Sequence, residues 1–457
     1  MADPSCRTSF FLLVLSVLAV HSSLAQTDQP KRYSLDEAVK IGLQRNPDLV
    51  SARLQVEQAD ARVTEAWGTA LPSLDLSGQY TRAIKKPVFF FPNIFQGRPD
   101  EIVAIEVGSK HAMNMSLTVS QVLFNTAVIT GVGAAKVFSQ AARELLRARE
   151  VETVAKVRKA FYGVLFAGEA KQMMHEMLMN AEQNLRNVEL LGKQGVVSEY
   201  DQLRASVGVE NLKPSVIQAD NGYALALDGL RAAMGLEVSE KFDVDGELKF
   251  AAVDDTLLAT ALDAVLEANP NLRALRQQVE VNRAMVNIQR SGYFPTVAAF
   301  GNYQYQMAKN TFKVSGNDFI GSSVVGLSLS LNLFQGLQTR ARVEEAELEM
   351  RRSQEQLSGV ETNLRTAVHS VILQLAQARK RIEAQAKTVD QAERGYKIAT
   401  TRFTSGSGTQ LEVNDAQLAL TQAQVNRIQA IYDYLVASAD FDQLIGRIPA
   451  YVSESEE

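Results

Sequence analysis

From Gln335 to Phe403 the chain runs without a proline, and its apolar residues return at alternating intervals of three and four. Leu357, Val360, Leu364, Val368, Val371, Leu375, Ala378, Ile382, Ala386, Val389 and Tyr396 mark this seam, with Gln, Arg, Lys and Glu between them. That period predicts one long coiled-coil helix. At ~1.5 Å per residue it reaches about 100 Å, far beyond the width of a small globular domain. The fold is therefore expected to be elongated, with helical neighbours along most of this axis.

The sequence also repeats itself. Leu35 to Pro72 aligns without a gap on Leu258 to Pro295, and Leu35, Ala38, Leu43, Asn46, Pro47, Leu49, Arg53, Gln55, Val56, Glu57, Ala61, Val63 and Pro72 all recur. Further on, Gly195, Ala205, Ile217, Gln218, Tyr223, Ala226 and Gly235 match Gly406, Ala416, Ile428, Gln429, Tyr434, Ala437 and Gly446. We read this as a tandem duplication. The first repeat covers 26–235, with short helices, a strand pair at 73–124, a long helix at 126–193 and a returning helix at 198–235. An irregular segment at 236–256 follows. The second repeat covers 257–446, with a strand pair at 296–333, a long helix at 335–403 and a returning helix at 409–446. A polar tail occupies 447–457. Ser34 with Glu37 has capping-box spacing, and Asn46-Pro47 and Asn269-Pro270 each start a helix where a missing N–H costs nothing. Pro214 is expected to kink the first returning helix.

Between the short and long helices the period changes to two. Val325, Leu327, Leu329, Leu331 and Leu333 alternate with Gly326, Ser328, Ser330 and Asn332, and Met113, Met115, Leu117 and Val119 alternate with Asn114, Ser116 and Thr118. Weaker partners precede them, through Leu74, Leu76 and Tyr80 and through Val297, Ala299, Tyr303 and Tyr305. The uncharged polar face and the tyrosines near strand ends suit a membrane barrel. Four strands cannot close one, and lipid forbids open edges, so several chains must contribute. The segment between the first two strands holds Phe89-Phe90-Phe91-Pro92, suited either to plug the barrel mouth or to sit in the lipid interface.

At the start, Arg7, an apolar run from Phe10 to Val20 and Ser23-Leu24-Ala25 form a secretory signal peptide, 1–25. The one cysteine, Cys6, leaves with it. The net charge of −5 gives no footprint for nucleic acid. His111, His175 and His369 lack metal-ligand spacing, and Gly131-Val132-Gly133 lacks the rest of a phosphate loop. We find no catalytic constellation and no sign of a cofactor.

These features together resemble the TolC-like outer-membrane efflux proteins over essentially the whole mature chain. The repeated Asn-Pro starts and the turn Phe403-Thr404-Ser405-Gly406-Ser407-Gly408-Thr409-Gln410-Leu411-Glu412-Val413-Asn414-Asp415-Ala416 carry the likeness. The resemblance implies a mixed α and β membrane protein. Its long coiled-coil α-helical barrel joins a transmembrane β-barrel, with four strands per protomer and twelve in a homotrimer. It implies an exit duct for small molecules, or in some members proteins, located in the outer membrane of a Gram-negative bacterium with a large periplasmic portion. Its partners are outer-membrane lipid, a periplasmic adaptor protein and an inner-membrane pump. By position, the family's periplasmic gate falls on Phe403, Gly408, Glu412 and Asp415. Phe403 lacks a hydroxyl and Gly408 a guanidinium, so a looser closed state is expected. The adaptor-docking tips fall at Gly195, Gly406 and Gly408. The alternative from another class is a soluble periplasmic coiled-coil adaptor or scaffold, which would carry a lipoyl-like β-domain between its helices.

Overall fold

The computed structural model describes residues 31–93 and 98–448; the expected signal peptide at 1–25 and the tail beyond residue 448 lie outside the described residues. The chain begins with β1 (Lys31–Tyr33), α1 (Leu35–Arg45) and α2 (Pro47–Gly68). Four strands follow, β2 (Ser73–Arg82), β3 (Val88–Asn93), β4 (Arg98–Glu106) and β5 (His111–Phe124), then α3 (Thr126–Lys193) and α4 (Glu199–Met234). Next come β6 (Phe242–Val244), α5 (Asp255–Ala259), α6 (Ala261–Ala268) and α7 (Pro270–Arg290). The chain then forms β7 (Thr296–Lys309), β8 (Ile320–Ser330), α8 (Gln338–Thr404) and α9 (Gln410–Leu444).

α3 and α8 have 68 and 67 residues, and the seam read from sequence is what packs α8 onto its neighbours. Val368, Val371, Leu375 and Ala378 are buried against Tyr434, Ala437 and Phe441 of α9, Ile445 just beyond it, and Ala261 and Val265 of α6. Ala386 departs from the seam and is exposed. A matching core packs Val154, Val157, Phe161 and Val164 of α3 against Leu230 and Met234 of α4 and Ala38 and Val39 of α1. Two ion pairs then tie α3 to α9. Arg158 Nη1 lies 2.6 Å from Asp442 Oδ2, and Lys159 Nζ lies 2.6 Å from Asp440 Oδ1.

Some details depart from the sequence reading. α8 starts at Gln338, not Gln335, because Gly336 and Leu337 both take left-handed backbone, with φ of 60° and 67°. β8 ends at Ser330, so Leu331 to Phe334 form an exposed lead into that turn. Pro214 sits inside α4 without ending it. The segment 236–256 is not wholly irregular: β6 pairs in parallel with β1, from Lys31↔Phe242 to Tyr33↔Val244. Two three-residue strands so far apart in sequence carry no local pattern that would reveal the pairing.

The Asn-Pro starts do more than begin helices. Asn46 Oδ1 accepts from the Asp48 N–H at 2.9 Å, while its Nδ2 donates at 2.9 Å to the Ala233 carbonyl in the last turn of α4. Asn269 does the same for Leu272 and the Leu444 carbonyl, at 3.0 and 2.8 Å. Each side chain satisfies an orphan N–H of one helix and an orphan C=O of another. Gly235 and Gly446, with φ of 71° and 69°, turn the chain beside these caps.

α2 is clipped to α3 by Asp60, which accepts from Ser139 Oγ at 2.6 Å and from Arg143 Nη2 at 2.7 Å. The Ser139 hydroxyl, and then Arg143, hold the Asp60 carboxyl below its ordinary value of 3.8. A depressed carboxylate contributes stability above its unfolded pKa and loses it as pH falls through the folded value. The acid limb of a thermal-stability profile is therefore expected to be shallower for Asp60→Asn below about pH 4. Superimposable limbs for the two proteins would contradict this.

Candidate functional site

Strands β2, β5, β7 and β8 form one antiparallel sheet in that order. Alternation sorts their side chains between its two faces. One face carries Leu74, Leu76, Leu117, Val119, Tyr303, Val325, Leu327 and Leu329, all exposed. The other is laced by side-chain amide donors, from Asn302 Nδ2 to the hydroxyls Ser116 Oγ (2.7 Å) and Thr118 Oγ1 (2.9 Å), and from Gln304 Nε2 to the amide oxygen Asn114 Oδ1 (2.8 Å). Exposed aromatics gather at both ends: Trp67, Phe124, Tyr293, Phe294 and Phe334 next to the helices, Tyr80, Tyr305 and Phe312 at the far end. An exposed apolar band between aromatic girdles, backed by a polar face of Ser, Thr, Asn and Gln with Asp75 among them, is the pattern of a sheet between lipid and water. β2 and β8 each have one bonded neighbour, leaving both edges open. Among the described residues no helix is long and apolar enough to cross a membrane.

The Phe89 to Phe91 run, for which sequence left two places open, belongs to a separate hairpin of β3 and β4, with Phe89↔Ile105, Phe90↔Ala104 and Phe91↔Val103 opposed. Nothing in the sequence period distinguishes this hairpin from a loop, since both its faces are apolar.

At the opposite end of the molecule the long helices finish alike. Gly195 (φ 74°) and Gly406 (φ 73°) occupy the left-handed position. Gly195 N–H donates to Gly192 C=O and Val196 N–H to Leu191 C=O; Gly406 and Ser407 repeat the pattern on Phe403 and Arg402. This is the Schellman closure, which needs a residue free to take positive φ. Phe403 is half-buried in the last turn of α8, and Glu412 and Asp415 lie one turn apart near the start of α9, which Thr409 caps. A Cβ at Gly408 would lie 3.0 Å from both Arg402 Cβ and Phe403 N, so glycine lets the chain pass this close over the helix end without its neighbours shifting. Arg402 brings a guanidinium to this turn: its Nη1 lies 3.5 Å from Glu412 Oε2 and its Nη2 donates to Ser407 C=O at 3.2 Å. Sequence reasoning missed Arg402. Its one signal was a basic residue in the last turn of a helix, where the macrodipole favours it. Above this tip, Met177, Asn184, Gly208, Leu212, Asn414 and Leu418 line a groove of about 500 Å³ between α3, α4 and α9. Among the described residues no group of His, Cys, Asp and Glu could hold a metal ion.

A sheet built to be part of a lipid-facing wall, rooted in helices about 100 Å long, defines a membrane-anchored duct component rather than a soluble adaptor. The chain belongs to the outer membrane efflux protein family, which it matches over residues 39–236 and 261–447. It is 22% identical over 421 residues to outer membrane protein TolC of Vibrio cholerae, covering 91% of each chain. It is 23% identical over 300 residues to the alkaline protease secretion protein AprF of Pseudomonas aeruginosa, covering 65% of this chain and 62% of AprF. In fold it resembles the CmeC outer membrane channel of Campylobacter jejuni, with a TM-score of 0.75 at 17% identity over 90% of this chain and 85% of that one. The protein is thus an outer-membrane channel component of an efflux or secretion system.

Proposed function

We propose that three copies close their sheets into one barrel and their long helices into one tunnel, forming a passive exit duct that carries no catalytic step. The open edges of β2 and β8 support this most directly, because a lipid-facing sheet must have every edge paired. A periplasmic adaptor then engages the tips at Gly195 and at Gly406 to Gly408, with the groove above them as its seat, and an inner-membrane pump supplies the cargo. Efflux of small molecules and protein secretion share this architecture, as the names of the relatives illustrate.

In this reading Phe403, Gly408, Glu412 and Asp415 sit at the closing end, and Glu412 and Asp415 form two stacked rings of carboxylates around the axis. Such rings favour cations and bind divalent ions when constricted. Arg402 neutralises part of the Glu412 ring. Both side chains are about half exposed, so their pair contributes at most about 1 kcal/mol, enough to bias a closed state without fixing it. In planar bilayers, Arg402→Ala is expected to open more often and to pass more cations. Glu412→Ala and Asp415→Ala are expected to lose cation selectivity and divalent block severalfold. Unchanged selectivity and block in both acid variants would rule out the gate, while the mass of the detergent-purified protein tests the trimer separately.

A further inference from the structure

We propose that the outer rim of the sheet is a binding site for a phosphorylated glycolipid of the membrane's outer leaflet. The inference rests on the reading that this sheet spans the outer membrane. Cross-strand register places Leu76↔Leu117↔Tyr303, then Gly78↔Met115↔Tyr305, then Tyr80↔Met113↔Met307 on the lipid-facing side. One further step along the pleat, the same face presents Arg82↔His111↔Lys309. Apolar contact therefore gives way to a row of basic side chains at the height where headgroups lie. Tyr80 Oη bonds His111 Nδ1 at 2.7 Å, and Phe312 packs its ring on both, so the row stands on an aromatic footing.

Charge at this rim is unbalanced. Lys309 is paired with Asp318. Arg82, Lys85, Lys110 and Lys313 are exposed and have no ion pair among the described residues. Backbone bonds keep them together: Ala83 N–H donates to Lys110 C=O at 2.8 Å, and Lys110 N–H donates to Asn310 Oδ1 at 3.2 Å. Next along the chain stands the β3–β4 hairpin, with Phe89, Phe91, Val103 and Ile105 exposed on one face and the two Phe rings stacked at 6.2 Å.

From the membrane outward the surface thus runs apolar, cationic, aromatic. A phosphorylated glycolipid such as lipid A carries its acyl chains and its phosphates on one sugar unit, so the chains meet the apolar band, the phosphates the cations, and the apolar face of a sugar ring packs on an aromatic face. A neutral lipid would leave the cations unused. Free phosphate would leave the apolar and aromatic zones bare.

Native mass spectrometry of the detergent-purified protein with bis-phosphorylated lipid A tests this. Arg82→Gln/Lys85→Gln/Lys110→Gln is expected to lower lipid A retention about tenfold or more, the combined effect of three cations beside an anionic surface. Dephosphorylated lipid A should bind the unaltered protein as weakly. Phe89→Ser/Phe91→Ser should lower retention of lipid A and leave that of phosphatidylglycerol, which has no sugar, unchanged. Equal lipid A retention by the cation variant, equal binding of the dephosphorylated lipid, or parallel effects of the Phe variant on both lipids would overturn the assignment. Bilayer conductance of the same preparations separates the two readings. Pores without this lipid preference sink the site alone, and no pore from any preparation sinks the membrane reading with it.

Discussion

Alanine at Gly446 or Gly235 is expected to destabilise the protein by about 3 kcal/mol, whereas alanine at Gly406 or Gly195 should cost about 1 kcal/mol. All four glycines hold positive φ, between 69° and 74°, so each substitution carries the same left-handed backbone penalty. The surroundings differ. At Gly446 a Cβ would lie 2.8 Å from Pro270 Cδ and 2.9 Å from the Ala268 carbonyl, and at Gly235 it would lie 2.6 Å from the Arg45 carbonyl. Backbone cannot yield as a side chain can, so the added methyl must separate α9 from α7, or α4 from the end of α1. At Gly195 and Gly406 a Cβ meets nothing within 4 Å. Thermal midpoints of the four variants in one detergent check this, and equal losses at all four would contradict it. Asn269→Ala and Asn46→Ala should fall between the two groups, because each removes a cap and also unsatisfies a carbonyl of the partner helix.

The second large effect is expected at the pair joining α3 to α9. Arg158 and Asp442 have side chains only 11% and 18% exposed, so losing Asp442 leaves Arg158 a nearly buried cation with only the Tyr162 hydroxyl facing it. Asp442→Ala should cost about 3 kcal/mol or more, and Arg158→Met/Asp442→Leu should recover most of that loss, since an apolar pair leaves no buried charge behind. Arg158 Nε already lacks a hydrogen-bond partner, which lowers what the ion pair itself contributes. A double variant as unstable as Asp442→Ala would show that shape, not charge, governs this contact. The neighbouring Lys159–Asp440 pair, about one-third exposed, should tolerate the same treatment with a loss near 1 kcal/mol or less.

Gly408 and Arg402 show how far a resemblance reaches. Matching residues one by one assigned Gly408 a missing guanidinium and implied a looser tip. The folded turn brings Arg402 to Glu412 from the preceding helix, because the Schellman closure at Gly406 folds the chain back over its own last turn. A position-by-position comparison cannot see a charge supplied from a different position.

The elements themselves were legible because their causes are local. A seam of threes and fours requires a helix, alternation requires a strand, Asn-Pro starts a helix and glycine ends one. These rules placed both long helices, the four sheet strands and the caps at Asn46 and Asn269. They failed where no local rule applies. The parallel pairing of β1 with β6 joins segments too short to show a period, and the left-handed Leu337 delays α8 against its own propensity. The β3–β4 hairpin is apolar on both faces and so shows no alternation. The sequence by itself determined what each segment is and the order in which segments follow. Only the tertiary structure decided which segments meet: Asn46 with Ala233, Arg158 with Asp442, Arg82 with His111 and Lys309, and Arg402 with Glu412. Such meetings depend on distances between residues remote in the chain, which follow from how long helices and a twisted sheet pack together, not from any periodicity along one of them.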